Sequence, residues 1–161
     1  MGNPFRSEEV NMYTLSEKID LLKSCELFET ISYDELKLIA FTASEIFCQE
    51  GDILFLEGDE AFESFVIFDG EVEVFKTMNG GTTVLRTLKK NDIFGEYAII
   101  SQCPRTAGVK SKKFSGLKIS KDSFLEILKE FPEVSIRIMD VLVKRLLKSE
   151  KKLLELMEKK D

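Results

Sequence analysis

Between Ser44 and Ser120 the chain alternates short runs rich in Ile, Val and Phe with glycine-bearing turns, and both flanks read as helix. That change of texture constrains the fold more than any other feature. In "ESFVIFDGEVEVFKT", Phe65, Ile67, Val72 and Val74 fall at alternate positions around Asp69-Gly70, which predicts a hairpin with a tight turn. "MNGGTTVLRTL" predicts a second turn at Asn79-Gly80-Gly81, with Val84, Arg86 and Leu88 on one strand face and Leu85 and Thr87 on the other. "EIFCQEGDILFLEGD" precedes these runs, and "AGVKS" and "FSGLKIS" follow. Roughly seven or eight short strands with frequent turns predict a β-roll or jelly-roll barrel.

The flanks carry helix signals. Thr14 and Glu17 are spaced as a capping box, as are Ser32 and Glu35. Leu15, Ile19 and Leu22 recur at helical spacing behind the first cap, and Leu36, Ile39 and Ala40 behind the second. "SKDSFLEILKEF" starts with a cap at Ser120 or Asp122, and Pro132 suits the first turn of a further helix running towards the C-terminus. The expected layout is a tail over 1–13, then one domain over 14–161. Within it, helices occupy about 14–42, a β-roll about 43–119 and a helix pair about 120–160.

Composition narrows the chemistry. The chain has no histidine, which removes Ser-His-Asp and Cys-His triads, histidine bases and histidine metal sites together. No catalytic residue and no metal site is expected. A net charge of −6 disfavours bulk binding to nucleic acid. No apolar run approaches the roughly 18 residues of a membrane span. No signal peptide is read, and "MGNPFRS" has Arg6 where a myristoylation motif needs Ser or Thr, so a cytoplasmic, non-membrane protein is expected. Cys25, Cys48 and Cys103, odd in number and far apart, read as small hydrophobes in a reducing compartment, with Cys103 the one candidate redox handle.

The stretch "FGEYAIISQCPRTA", Phe94 to Ala107, carries the candidate chemistry. Gly95 lets a ligand approach its backbone. A short helix over residues 96 to 100 would present free N–H groups, which favour an anion, above all phosphate. Arg105 adds a permanent cation with a planar fork suited to two oxygens of one phosphate, and Pro104 stiffens the approach to it. Glu96, an acceptor when ionised, would repel that anion, so it needs a different partner, and a sugar hydroxyl answers the need. The residues alone leave a second reading open, in which Glu96 and Arg105 form a structural ion pair across a loop.

The same stretch resembles the phosphate-binding cassette of the cyclic nucleotide-binding domains of cyclic-nucleotide-dependent kinases, gated channels and the catabolite activator family. That pattern is Phe-Gly-Glu-x-Ala, an apolar stretch, then Arg, a small residue and Ala. The chain matches it at Phe94-Gly95-Glu96-Tyr97-Ala98 and Pro104-Arg105-Thr106-Ala107, with kinase-like spacing. The resemblance extends through "KSCELFETISYDELKLIA", "EGDILFLEGDEAFESFVIFDGEVEVF" and the closing helices, about residues 17 to 150. It implies a mainly β fold with flanking helices. The centre would be an eight-stranded double-stranded β-helix, with N-terminal helices and a C-terminal helix pair around it. It also implies that Glu96 accepts the ribose 2′-hydroxyl and Arg105 holds the cyclic phosphate, with backbone of Gly95, Tyr97, Ala98, Thr106 and Ala107 lining the pocket. Tyr97 departs from the family, which usually has an aliphatic residue there. Thr106 permits cGMP without selecting it over cAMP.

The implied function is a non-enzymatic cyclic nucleotide sensor or regulatory subunit with cAMP or cGMP as ligand and no cofactor. With the sequence ending at Asp161, the expected module stands alone, binds no DNA directly and acts on a separate effector protein by repacking its C-terminal helix. One alternative is the same fold used for protein contacts without nucleotide. Another is a cupin-type barrel enzyme, which a chain without histidine is poorly equipped to be. Met139, Leu142, Leu146, Ser149, Leu153 and Leu156 step by three and four, with Val143, Leu147, Leu154 and Met157 beside them. That stripe fits a homodimer seam, a lid over the base or packing on the domain's own helices. The charges of this segment read as a mixed solvated face.

Overall fold

The computed structural model describes residues 12–160. The "MGNPFRS" segment, with the rejected myristoylation motif, lies outside the described residues. Two short helices come first, α1 (Leu15–Ser24) and α2 (Tyr33–Thr42), separated by a 3-10 turn at Glu26–Phe28. Both expected capping boxes are present: Thr14 and Ser32 each accept from the backbone N–H three residues on, while Glu17 and Glu35 reach back to the cap N–H. The described part of the N-terminal segment is pinned down. The Tyr13 N–H donates to Glu45 Oε1 at 3.2 Å, and the Tyr13 ring stacks on Phe68 at 4.3 Å.

Five strands follow: β1 (Ser44–Phe55), β2 (Glu63–Met78), β3 (Gly81–Leu88), β4 (Ile93–Phe94) and β5 (Gly108–Ser120). They form an antiparallel sheet in the order β1-β5-β2-β3, with β4 also on β2. A short helix, α3 (Glu96–Ile100), interrupts the run between β4 and β5. The chain closes with α4 (Lys121–Glu130), capped by Ser120 rather than Asp122, and α5 (Pro132–Glu158), with Pro132 in its first turn. The architecture is the expected mainly β fold with flanking helices.

Two expectations about the strands fail for one reason. Asp69-Gly70 makes no hairpin, because β2 runs straight through it and pairs with β5 on both sides, Ile67 with Gly116 and Val72 with Ser111. Gly70, at φ +86°, sits at the register shift where the strand bends. A Cβ there would strike the Lys113 carbonyl oxygen, so only glycine lets the two backbones approach so closely. β5 turns opposite it at Lys113, φ +75°, and β1 shifts register between Glu50 and Ile53. Strands that continue through their bends give five where eight were expected. The second turn is a true hairpin: Asn79 (φ +53°) and Gly80 (φ +77°) join Met78 to its partner Gly81. Both central residues at positive φ suit the right-handed twist of the flanking strands.

Alternation along β2 divides the core in two. Phe65, Ile67, Val72 and Val74 enter the interior of the roll with Phe94 and Phe114. Val66, between two of them, points the other way and joins Leu22, Phe28, Leu36, Phe124 and Ile138 of the helices. Each fully buried side chain of this kind contributes about 1.5–3 kcal/mol. The helices thus bind to the back of the sheet that carries α3, and α5 is brought beside it. Cys25 and Cys48 are buried in these clusters, and burial pushes both thiols up to about 12, so they are inert hydrophobes.

Candidate functional site

Gly95, Glu96, Tyr97, Ala98, Arg105, Thr106 and Ala107 line one cleft, where α3 meets the loop before β5, while Pro104 lies outside its lining. Gly95 precedes α3 at φ +80°, which swings the chain from β4 into the helix. A Cβ at Gly95 would lie 2.9 Å from Arg105 Nη1 and 3.2 Å from the Glu63 oxygen. Its bareness therefore makes room for the guanidinium as well as for the turn.

Arg105 is 5% exposed. Its backbone is tied to the β1–β2 loop: its N–H donates to the Asp59 carbonyl, and its own carbonyl accepts from the Gly58 N–H, both at 2.8 Å. Its side chain is held by main chain too, with Nη1 donating to the Gly95 oxygen and Nη2 to the Glu63 oxygen, each at 2.6 Å. The face of the Phe55 ring lies 3.9 Å below the guanidinium carbon. Nε–H is buried without a partner. Burial lowers the pKa of Arg105, opposed by the fields of Glu63, Asp59 and Glu96. A cation so placed is oriented by carbonyl dipoles yet not neutralised by a bonded carboxylate, which suits a ligand anion.

Glu96, only 3% exposed, does not pair with Arg105. The loop ion pair left open by the sequence is replaced by another: Arg145 of α5 donates from Nη1 to Glu96 Oε1 at 3.0 Å and to Tyr97 Oη at 2.6 Å. Burial raises the pKa of Glu96, while its own backbone N–H and Arg145 pull it down. Burial also works against the charge of Arg145, but Tyr97 and Glu96 outweigh it and raise its pKa. Two guanidinium carbons lie near the Tyr97 ring centroid, that of Arg145 at 5.5 Å and that of Arg86 of β3 at 5.8 Å. The hydroxyl that departs from the family pattern thus has its partner. The cleft encloses about 40 Å³ in this arrangement, well below the several hundred Å³ of a pocket that holds a drug-sized ligand.

Arg145, Arg86 and Phe55 are the site residues that sequence reading missed. Arg145 was counted among the charges of a solvated face. Its one signal is that it is arginine in a segment whose other cations are lysines, and arginine is favoured for ion pairs that are partly buried. Among the described residues, no group of His, Cys, Asp and Glu is placed to hold a metal ion, and no helix is long and apolar enough to cross a membrane.

Residues 45–131 match the cyclic nucleotide-binding domain family, and the chain belongs to it. It is 31% identical over 124 residues to a cAMP-dependent protein kinase regulatory subunit of Blastocladiella emersonii, covering 75% of this chain and 29% of that protein. It is 32% identical over 115 residues to a cGMP-dependent protein kinase of Plasmodium berghei, covering 70% of this chain and 13% of that one. The chain thus spans less than a third of the length of either relative. The crystal structure of Thermus thermophilus catabolite activator protein superposes with a TM-score of 0.74 at 22% identity, over 81% of this chain and 62% of that one. That likeness is one of fold, and it carries the β-roll class with it.

Proposed function

We propose that this chain binds a cyclic nucleotide, cAMP or cGMP, as a non-enzymatic regulatory module in the cytoplasm. Arg105 receives the cyclic phosphate and Glu96 the ribose 2′-hydroxyl, with Gly95, Tyr97, Ala98, Thr106 and Ala107 forming the wall between them. The domain over 14–161 acts as a sensor that signals to an effector protein through α5. The observation that carries the reading is Arg105, a buried guanidinium aimed by two backbone carbonyls, with Nε–H unpartnered, in a cleft that also holds a buried carboxylate. Relatives named for cAMP-dependent and for cGMP-dependent kinases support either ligand. Calorimetry with cAMP and with cGMP tests the proposal. Binding of either one, lost in Arg105→Ala, is expected. No heat from either ligand would favour the alternative, a protein-interaction module on the same fold.

A second reading concerns assembly. Met139, Leu146, Leu153 and Leu156 are more than half exposed, and so are Val143, Leu147, Leu154 and Met157. This bare stripe supports a homodimer through α5. Leu146→Glu with Leu153→Glu is then expected to give a folded monomer, and light scattering that shows the parent monomeric with and without cAMP would remove the dimer.

A further inference from the structure

α5 carries two apolar faces, and the domain covers only one of them. Val134, Ile138 and Val141 are buried, and Leu142 packs against the same core. On the other side Ile136, Met139, Val143, Leu146, Leu153 and Met157 are each more than half exposed. With Glu150 they step by three, four, three, four, three and four, an unbroken heptad seam. It differs from the series read in the sequence by facing water along the whole helix, about 31 Å at the α-helical rise per residue. Ile136 and Val143, both β-branched, take the a positions, and Met139, Leu146 and Leu153 the d positions. That arrangement favours two parallel strands, so the seam fits one partner helix. Glu150 interrupts it at an a position. Asp140, beside the seam, has Lys144 four residues on and pairs with it at 2.7 Å. Glu150 instead has leucine at all four positions within reach on its helix, Leu146, Leu147, Leu153 and Leu154. A helix laid on the seam therefore encloses its carboxylate among leucines.

We infer that α5 docks a single parallel helix of another protein, one that carries Lys or Arg facing Glu150. This goes beyond the nucleotide reading and rests only on its statement that α5 meets an effector, which it sets ahead of a second copy as the occupant of the seam. In a parallel pair a faces a, so a second copy brings Glu150 against Glu150, two like charges in a leucine-lined layer. In an antiparallel pair a faces d, and the copy offers Met139, Leu146 or Leu153, which leaves the carboxylate covered without a donor. Lysine or arginine at the facing position turns the same layer into an ion pair. The carboxylate then fixes register and rejects helices that lack the cation.

The test is sedimentation velocity on the parent, Glu150→Lys, Glu150→Leu and an equimolar mixture of parent and Glu150→Lys, in which the lysine variant serves as the cationic probe helix. The mixture is expected to form a one-to-one pair roughly tenfold or more tighter than the parent forms with itself. Glu150→Lys alone should associate as weakly as the parent, since its ammonium groups meet in the same layer. Glu150→Leu alone should associate more tightly than the parent, because it removes the charge and keeps the seam. A mixture no tighter than the parent, whether both pair or both stay monomeric, would overturn the inference. A Glu150→Leu no tighter than the parent would overturn it too, by showing that the carboxylate lies outside the contact. Calorimetry with cAMP and cGMP on the same proteins keeps the two readings apart. Nucleotide binding without preferential pairing overturns this inference alone, and preferential pairing without nucleotide heat overturns the binding reading alone.

Discussion

The two ends of the cleft are built in opposite ways. At one end, Arg105 is held by the sheet and its loops: the carbonyls of Gly95 and Glu63 aim its side chain, and Gly58 and Asp59 hold its backbone. At the other, the side chain of Glu96 is held by one side chain from a helix 49 positions along the chain. The Arg105 end therefore stands as long as the β-roll stands. The Glu96 end depends on where α5 lies. On the binding reading proposed above, the first would be the phosphate end and the second the sugar end.

The largest expected effect tests the anchor. Arg105→Ala removes the counter-charge from a partly dry site, which costs about 2–5 kcal/mol of binding, or roughly 30- to several-thousand-fold in affinity. It also leaves the Gly95 and Glu63 carbonyls without their donor, so a loss of about 1–3 kcal/mol in urea unfolding is expected alongside. Arg105→Lys should lose affinity too, since an ammonium cannot span two carbonyls and a phosphate as a fork does. An Arg105→Ala that binds like the parent would break the contrast at its firmer end.

Next comes Glu96→Ala, expected to weaken cAMP by about 1.5–3 kcal/mol, the worth of a charged hydrogen bond. A 2′-deoxy cyclic nucleotide should bind the parent poorly and be nearly indifferent to the same change. Equal losses for both ligands would mean that Glu96 serves the loop and α5 without reading the sugar.

Gly95→Ala is a smaller probe of the anchor. At φ +80°, with Arg105 Nη1 2.9 Å from the new methyl group, it should lower stability by more than about 1 kcal/mol. It should also weaken cAMP and the 2′-deoxy ligand alike, because it displaces the cation they share. A selective loss of cAMP would place Gly95 at the sugar end instead.

The smallest effect is a pH slope. Burial raises the pKa of Glu96, so the native state holds that proton more tightly than the unfolded chain does. Its contribution to stability is then fully present below the ordinary glutamate value, about 4.3, and declines as pH rises through the raised native value. Relative to Glu96→Gln, the parent should lose stability over that interval, read by urea unfolding at a series of pH values. A difference that grows with pH would mean that Arg145 outweighs burial.

Much of the fold was legible because its signals are local. A capping box joins residues three apart, and Thr14–Glu17 and Ser32–Glu35 form as read. Asn79-Gly80 needs only its own two positive φ angles to turn the chain. Asp69-Gly70 shows the limit of that reading. Its composition suits a turn, but its conformation is set by Lys113, far along the chain, whose carbonyl approaches where a side chain would stand. The cassette residues were legible as chemistry. Their geometry was not, because the partners of Arg105 are carbonyls, which any residue could supply.

The course of the chain from helix to roll to helix, the hairpin at Asn79-Gly80 and the residue types gathered in one cassette were determined by sequence alone, since each follows from contacts within a few residues. What α5 does was decided by tertiary structure. Val134, Ile138 and Val141 are buried, whereas Met139, Leu146 and Leu153 of the apolar stripe are exposed. The difference is which side of the helix meets the sheet and the other helices, since Met139 faces water next to the buried Ile138. The same placement brings Arg145 to Glu96. Helical periodicity distributes residues around an axis, but only the packing of that axis determines which of them meet a partner and which meet water.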